Sequence, residues 1–275
     1  MRTWPALEVD RADPQTGDLI QAFLLDFGVD AIDDNLPDIS QVFFHDAGDR
    51  DRAAGALRAR FPTLGVRAID VPDQDWAARS QASLHAIQVA NIIVAPPWDA
   101  REGAIIIQPS MGFGTGHHAT TRLCLAALQQ IDVRGLRVID VGTGSGVLAI
   151  AASRRGAGTV VAIDDDPDAV AAARENLLLN EDARVTLTVM DFRLPSPDSR
   201  IPAEFDLVVA NLTGGLLVAA AEPLRSLAAP SGRFVLSGLM DHEEGDVLRA
   251  FAGLDVEWRG QEDEWVCLEL SPDRK

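Results

Sequence analysis

From Leu136 onward, short apolar runs alternate with stretches whose apolar residues recur at helical spacing, and no other feature narrows the fold as far. Leu136 to Val141 leads to a helical stretch from Val147 to Arg155, and Thr159 to Ile163 leads to one from Pro167 to Asn180. Val185 to Val189 is a third run, and Phe205 to Ala210 is a fourth that precedes a predicted helix from Gly215 to Ala228. A fifth run, Arg233 to Ser237, follows Pro230-Ser-Gly232 and leads to a predicted helix from Glu244 to Phe251. Strands separated by helices are joined by crossovers, which makes them parallel neighbours with helices on both faces of the sheet. The last two runs, Val256 to Arg259 and Glu264 to Leu270, have no helix between them and predict an antiparallel hairpin at one edge. The expectation is an α/β chain built on a doubly wound, seven-stranded sheet.

The first seventy residues follow a different pattern. Trp4 to Asp10 reads as a strand, Pro14 to Phe27 as a helix stopped by Gly28, and Val29 to Asp33 and Ile39 to His45 as two strands around Asn35 and Pro37. A helix from Asp51 to Phe61 and a strand from Val66 to Val71 complete the order β-α-β-β-α-β, a small α+β ferredoxin-like unit. It holds no catalytic constellation, so recognition or spacing is its expected role. The expected boundaries are 1–72 for this unit, 73–86 for a polar linker helix around Trp76, and 87–275 for the large domain. Within the last, Ile87 to Val94 reads as a β-branched run broken by Pro96-Pro97-Trp98, and Ala104 to Ile107 as another short strand.

In open α/β sheets, ligands bind beyond the carboxyl ends of the strands. After the first strand of the large sheet comes Asp140-Val-Gly142-Thr-Gly144-Ser-Gly146. Alternating glycines permit a sharp turn and close approach of a ligand, and the amides that open the next helix favour an anionic group. The third glycine falls one residue too early for a dinucleotide loop, and the lysine of a P-loop is missing. An acidic residue directly before the turn suits a ligand with a sulfonium and an amino group, whose carboxylate takes the helix amides. S-adenosylmethionine is such a ligand. Asp164 ends the second strand, about 20 residues on, where a carboxylate accepts from both ribose hydroxyls. One of Asp164, Asp165 and Asp166 is expected to do no more than cap the helix at Pro167. Asp191, after the third strand, reads either as reaching an adenine amino group or as a solvated loop aspartate. Asn211, at the end of the fourth, has an oxygen to offer an amine donor but no acid–base capacity.

A second glycine-rich stretch, Met111-Gly-Phe-Gly114-Thr115-Gly-His-His118-Ala-Thr120-Thr121, opens a predicted helix from Thr121 to Gln129 and reads as a flexible lid. Thr120 or Thr121 is expected to cap that helix. Adjacent residues at a helix start do not face one site, so His117 and His118 are not expected to form a metal site. Two cysteines, Cys124 and Cys267, lie in apolar surroundings and read as buried, reduced thiols.

The formal charge of −18 excludes non-specific binding to a nucleic-acid backbone and suits a neutral or cationic partner. Lys275 is the single lysine, and arginine supplies the other positive charges. No apolar run is long enough to span a bilayer, and the first residues have no signal-peptide pattern, so a cytoplasmic protein without membrane attachment is expected.

At these residues the chain resembles the ribosomal protein L-eleven methyltransferase family, PrmA. The resemblance rests on Gly114-Thr-Gly-His-His-Ala-Thr-Thr121, Asp140-Val-Gly-Thr-Gly-Ser-Gly146, Ala162-Ile-Asp-Asp-Asp-Pro167 and Val209-Ala-Asn-Leu212. It extends through Trp98 and Glu264-Trp265-Val266 over essentially the whole chain. It implies a Rossmann-like catalytic domain using S-adenosylmethionine, with Thr120, Gly142, Asp164 and Asn211 at the cofactor. It also implies N-methylation of lysine side chains and of the N-terminal amine of a free, basic ribosomal protein that the small domain recognises. A monomer is expected. The nearest alternatives are a relative acting on an electron-transfer flavoprotein subunit, a small-molecule methyltransferase and a binding module that retains the pocket as a relic.

Overall fold

The structure is a computed structural model and describes residues 3–10, 20, 23–24, 27–33, 39–72, 84–109, 117–193 and 204–272. The chain divides into two units, Met1–Leu84 and His85–Lys275. No helix among the described residues is long and apolar enough to cross a membrane.

In the first unit, strands β1 (Thr3–Asp10), β2 (Val29–Asp33), β3 (Ile39–Phe44) and β4 (Val66–Pro72) form an antiparallel sheet of order β2-β3-β1-β4. That is the strand order of the split motif. Alternation along β1 sends Leu7 and Val9 into one cluster with Val42, Phe44, Ala53 and Leu57, and sends Ala6 to the other face with Phe43 and Val71. Helix α1 (Ala47–Arg60) starts before the expected Asp51, because Asp46 caps it by accepting from the amides of Gly48 (2.7 Å) and Asp49 (2.9 Å). Its polar first turn offers no periodicity to read. Of the helix expected over 14–27, Ile20 and Leu24 are buried in the first cluster and Phe23 and Phe27 pack against it, while the remainder lies outside the described residues. Most of the expected linker helix also lies outside them, and Leu84–Ala86 are not helical.

The second unit begins with a three-stranded sheet of β5 (Ile87–Val89), β6 (Ile92–Ala95) and β7 (Ile105–Ile106). The single run expected over Ile87 to Val94 is therefore two strands, folded back at Ala90-Asn91 with Ala90 in the left-handed region (φ 49°). Helix α2 (Ala119–Gln130) then leads into β8 (Arg137–Val141), α3 (Val147–Arg154), β9 (Thr159–Asp164), α4 (Pro167–Leu178) and β10 (Thr186–Val189). After these come β11 (Phe205–Asn211), α5 (Gly214–Ala219), α6 (Ala221–Leu227), β12 (Ala228–Met240), α7 (Glu244–Ala250), β13 (Leu254–Glu262) and β14 (Trp265–Pro272).

The seven-stranded order is β10-β9-β8-β11-β12-β14-β13, parallel except where β14 runs antiparallel to β12 and β13. Apolar clusters lie on both faces, as a doubly wound sheet requires. Two expectations are corrected. The helix from Gly215 to Ala228 is two helices broken at Ala220, because Pro223 has no amide for the Ala219 carbonyl and its ring crowds that oxygen. The fifth strand starts at Ala228, and its pairing with β11 skips the Pro230-Ser-Gly232 step. From β8 the chain winds to β9 and β10 on one side and then crosses back to β11 and β12. This reversal opens a crevice at the carboxyl ends of β8 and β11.

Candidate active site

The glycine loop lies in that crevice. Gly142, Gly144 and Gly146 have φ of 70°, 51° and 83°, so each holds a left-handed conformation that costs an L-residue roughly 1–2 kcal/mol. Asp140, expected to meet the ligand, is instead 1% exposed beneath the loop. Its Oδ2 accepts from Thr143 Oγ1 (2.6 Å) and from the Ala149 amide (3.2 Å), fastening the turn to the first helical turn of α3.

Burial pushes the Asp140 carboxyl up to about 6 from 3.8. Between these values the folded protein holds a proton that the unfolded chain has released, so this contribution to stability falls as pH rises through the window and is gone above it. Asp140→Asn cannot titrate. Urea unfolding at pH 5.5 and 8 is expected to show wild type losing on the order of 1 kcal/mol more than the variant. Equal losses in the two proteins would refute the assignment.

Asp164 closes the other side of the loop. Its Oδ2 accepts from the Gly144 amide (2.9 Å) and its Oδ1 from the Asp166 amide (3.1 Å). Asp166 is the residue that caps α4, accepting from the Asp168 amide (2.8 Å), which leaves Asp164 half-buried and facing the crevice. A cavity of about 690 Å³ lies there, walled by Gly142, Gly144, Asp164, Met190, Phe192 and Leu212 among others. Asp191 is not in that wall. Arg193 Nε and Nη2 take its two oxygens at 2.7 and 2.9 Å and hold its carboxyl below the usual range.

A second cavity of about 410 Å³ adjoins the first across Gly142, Gly144 and Leu212, and its wall holds Asn211, Thr120, Thr121, His118 and Trp265. Asn211 is the last residue of β11, and its Nδ2 reaches toward Thr121 Oγ1 (3.5 Å). It does not cap the following helix, whose N-cap is Thr213. The oxygen of its side chain is backed by Gly238 (φ 87°), where a Cβ would overlap the Leu212 carbonyl and lie 3.1 Å from Asn211 Oδ1.

Helix α2 starts two residues before the expected Thr121. His118 is its N-cap, and Thr120 and Thr121 sit buried in the first turn. His118 Nδ1 pairs with Thr120 Oγ1 (2.8 Å), and its ring meets Trp265 edge-on with centroids 4.9 Å apart. Burial lowers the His118 pKa below the usual imidazole value, which keeps it neutral at neutral pH. His117 faces the His85 carbonyl instead (Nε2 to O, 2.9 Å), and no metal-ligating cluster occurs among the described residues. Gly114 and Thr115 lie outside the described residues. Cys124 and Cys267 are free and buried, and contact with Cys267 together with burial pushes the Cys124 thiol far up.

Sequence reasoning about strand ends missed Thr121 and Gly238. Thr121 enters from a helix before the sheet, and Gly238 interrupts a strand, so neither carries a strand-end signal.

The reversal of winding, the left-handed glycine loop with an acidic residue at the next strand end, and the joined cavities define a class I S-adenosylmethionine-dependent methyltransferase. The family model described as "Ribosomal protein L11 methyltransferase (PrmA)" matches residues 42–272. A protein of that name from Myxococcus xanthus is 35% identical over 237 residues, 83% of this chain and 80% of its own length. Another from Symbiobacterium thermophilum is 40% identical over 221 residues, 75% of this chain and 70% of its own. The crystal structure of a ribosomal protein L11 methylase from Lactobacillus delbrueckii subsp. bulgaricus matches with a TM-score of 0.62 at 29% identity, over 69% of this chain and 100% of that one. The chain belongs to the ribosomal protein L11 methyltransferase (PrmA) family.

Its cofactor is therefore S-adenosylmethionine. The residues present fit the group: the larger cavity is within the range for such ligands, Asp164 lies at its edge, and Asp165, Asp166 and Asp168 lend it the negative field a sulfonium needs.

Proposed function

We propose that this enzyme methylates the lysine side chains and N-terminal amine of ribosomal protein L11, the protein its relatives are named for. In this reading the unit at 1–72 recognises that substrate, residues 73–86 link it, and 87–275 carry the chemistry. The formal charge of −18 favours encounter with a basic protein.

S-adenosylmethionine supplies, when bound, an electrophilic methyl group on a sulfonium. The turn at Gly142 and Gly144 and the start of α3 receive its amino-acid end, and Asp164 accepts from the ribose hydroxyls. Thr120, Gly114 and Thr115 are assigned to the cofactor side by motif match. Asn211 takes the incoming amine: its Oδ1 accepts an N–H and aims the nitrogen lone pair along the line of transfer. A free lysine has a pKa near 10.4, so it must lose a proton before attack, and desolvation in the apolar second cavity favours that loss. The neutral His118 adds no positive charge beside the incoming group. Proton release to solvent then leaves orientation as the main source of rate, about 7–11 kcal/mol in well-aligned systems.

Placement of Asn211 in the wall of the second cavity, next to Leu212 where the two cavities meet, carries this reading. The test is intact-mass spectrometry of recombinant ribosomal protein L11 incubated with enzyme and S-adenosylmethionine. Gains in steps of one methyl group are expected. Because Lys275 is the enzyme's single lysine, its own mass serves as a near-silent reference. No gain on that protein despite cofactor binding would move the client to another protein or a small amine.

A further inference from the structure

Helix α4 and the turn that ends it bring two asparagines into the interior. Asn176, on the helix, and Asn180, two residues past its end, are each 1% exposed and face the open edge of β7 and its continuation. Asn180 Oδ1 accepts from the Ile106 amide (3.0 Å), and its Nδ2 donates to the carbonyls of Ile106 (2.7 Å) and Asn176 (2.7 Å). Asn176 Oδ1 accepts from the Gln108 amide (2.8 Å). The other edge of β7 is paired to β6, so the two side-chain amides complete its ladder.

Of the two, only Asn176 reaches the glycine loop. Its Nδ2 donates to the Ser145 carbonyl (2.9 Å), inside the glycine loop. At the next residue α4 touches the loop again, where a Cβ on Gly146 would lie 3.2 Å from Ala173 Cβ. The Gly146 amide in turn closes the turn on the Thr143 carbonyl (2.9 Å). With its carbonyl and its amide hydrogen both bonded, the 145–146 peptide plane has one orientation. A loop with three left-handed glycines has many alternatives when unanchored, and preorganisation in the bound form is worth affinity.

We propose that Asn176 is a positioning residue for the cofactor loop: its amide ties the Ser145 carbonyl to the Gln108 backbone and holds the loop ready for S-adenosylmethionine. This rests on the reading that the loop receives the cofactor.

Asn176→Asp and Asn180→Asp test it as a matched pair. Both are isosteric, both set a carboxylate oxygen against carbonyl oxygen (Ser145 for the first, Ile106 and Asn176 for the second), and both are expected to lower Tm. Only the first removes a bond to the loop. Calorimetric titration with S-adenosylmethionine at a temperature well below unfolding is expected to weaken at least tenfold for Asn176→Asp and to stay within twofold for Asn180→Asp. The KM for cofactor rises in step for Asn176→Asp, with kcat at saturation kept within about threefold. If Asn176→Asp does not fold, Asn176→Ala against Asn180→Ala makes the same comparison. Equal affinities in the two variants, whether both unchanged or both reduced, overturn the proposal. Wild-type protein that binds no S-adenosylmethionine overturns the underlying reading of the loop as well.

Discussion

Replacing Asn211 with alanine is expected to lower kcat about 1000-fold while the Kd for S-adenosylmethionine changes by less than about threefold. The size follows from what the side chain does. A single preorganised polar group aimed at a reacting centre is commonly worth 10²–10³ in kcat. Asn211 is held at the end of β11, its nitrogen directed to Thr121 and its oxygen backed by Gly238, so its position costs no reorganisation when the amine arrives. The cofactor cavity is walled chiefly by other residues, which is why binding should survive. Single-turnover mass spectrometry reads the rate and titration calorimetry reads the binding. A variant within tenfold of wild type would remove Asn211 from the transfer step and leave orientation to the cavity walls.

Asp164→Ala is expected to do the reverse, weakening S-adenosylmethionine by about 100-fold with kcat at saturation little changed. Hydrogen bonds to a charged group contribute about 1.5–3 kcal/mol each, and the loss of two such bonds is about 3 kcal/mol or more. That corresponds to two decades or more in Kd. The substitution also frees the Gly144 and Asp166 amides, so the loop loses an anchor along with the ligand's acceptor. A Kd within threefold of wild type would show that neither contact matters. Opposite KM-against-kcat signatures at Asn211 and Asp164 would separate the methyl-transfer site from the site that holds the nucleoside.

The large sheet was legible because its period is strong. Runs such as Thr159 to Ile163 and Phe205 to Ala210 are apolar at nearly every position, as parallel strands covered on both faces must be, and the loops between them expose the ligand chemistry. Details that depend on which partner claims a polar side chain were not legible. Asp140 reads as a ligand contact from its place before the turn, but the amide of Ala149 and hydroxyl of Thr143 claim its carboxylate. Asp191 reads the same way until Arg193, two residues on, closes over it. Asn176 and Asn180 look like the polar side of a helix, and only the bare edge of β7, some seventy residues earlier in the chain, explains their burial. Local rules did decide some errors. Pro223 explains the break between α5 and α6, and the polar cap at Asp46 explains the early start of α1.

The placement of β14 has a consequence for how the enzyme is made. This strand follows β13 in the chain but lies between β12 and β13, so when β13 leaves the ribosome its place in the sheet is still separated from β12 by an empty slot. Until β14 emerges, within roughly a few seconds at ordinary synthesis rates, two strand edges stand unpaired. The exposed charges on Asp255, Glu257 and Arg259 suit β13 to that wait, since charged edges resist pairing with stray chains. Trp265, an aromatic wall of the second cavity, arrives on the strand that fills the slot. A nascent chain therefore gains its working cavity in the same step that closes its sheet, and a chain stalled before β14 has neither.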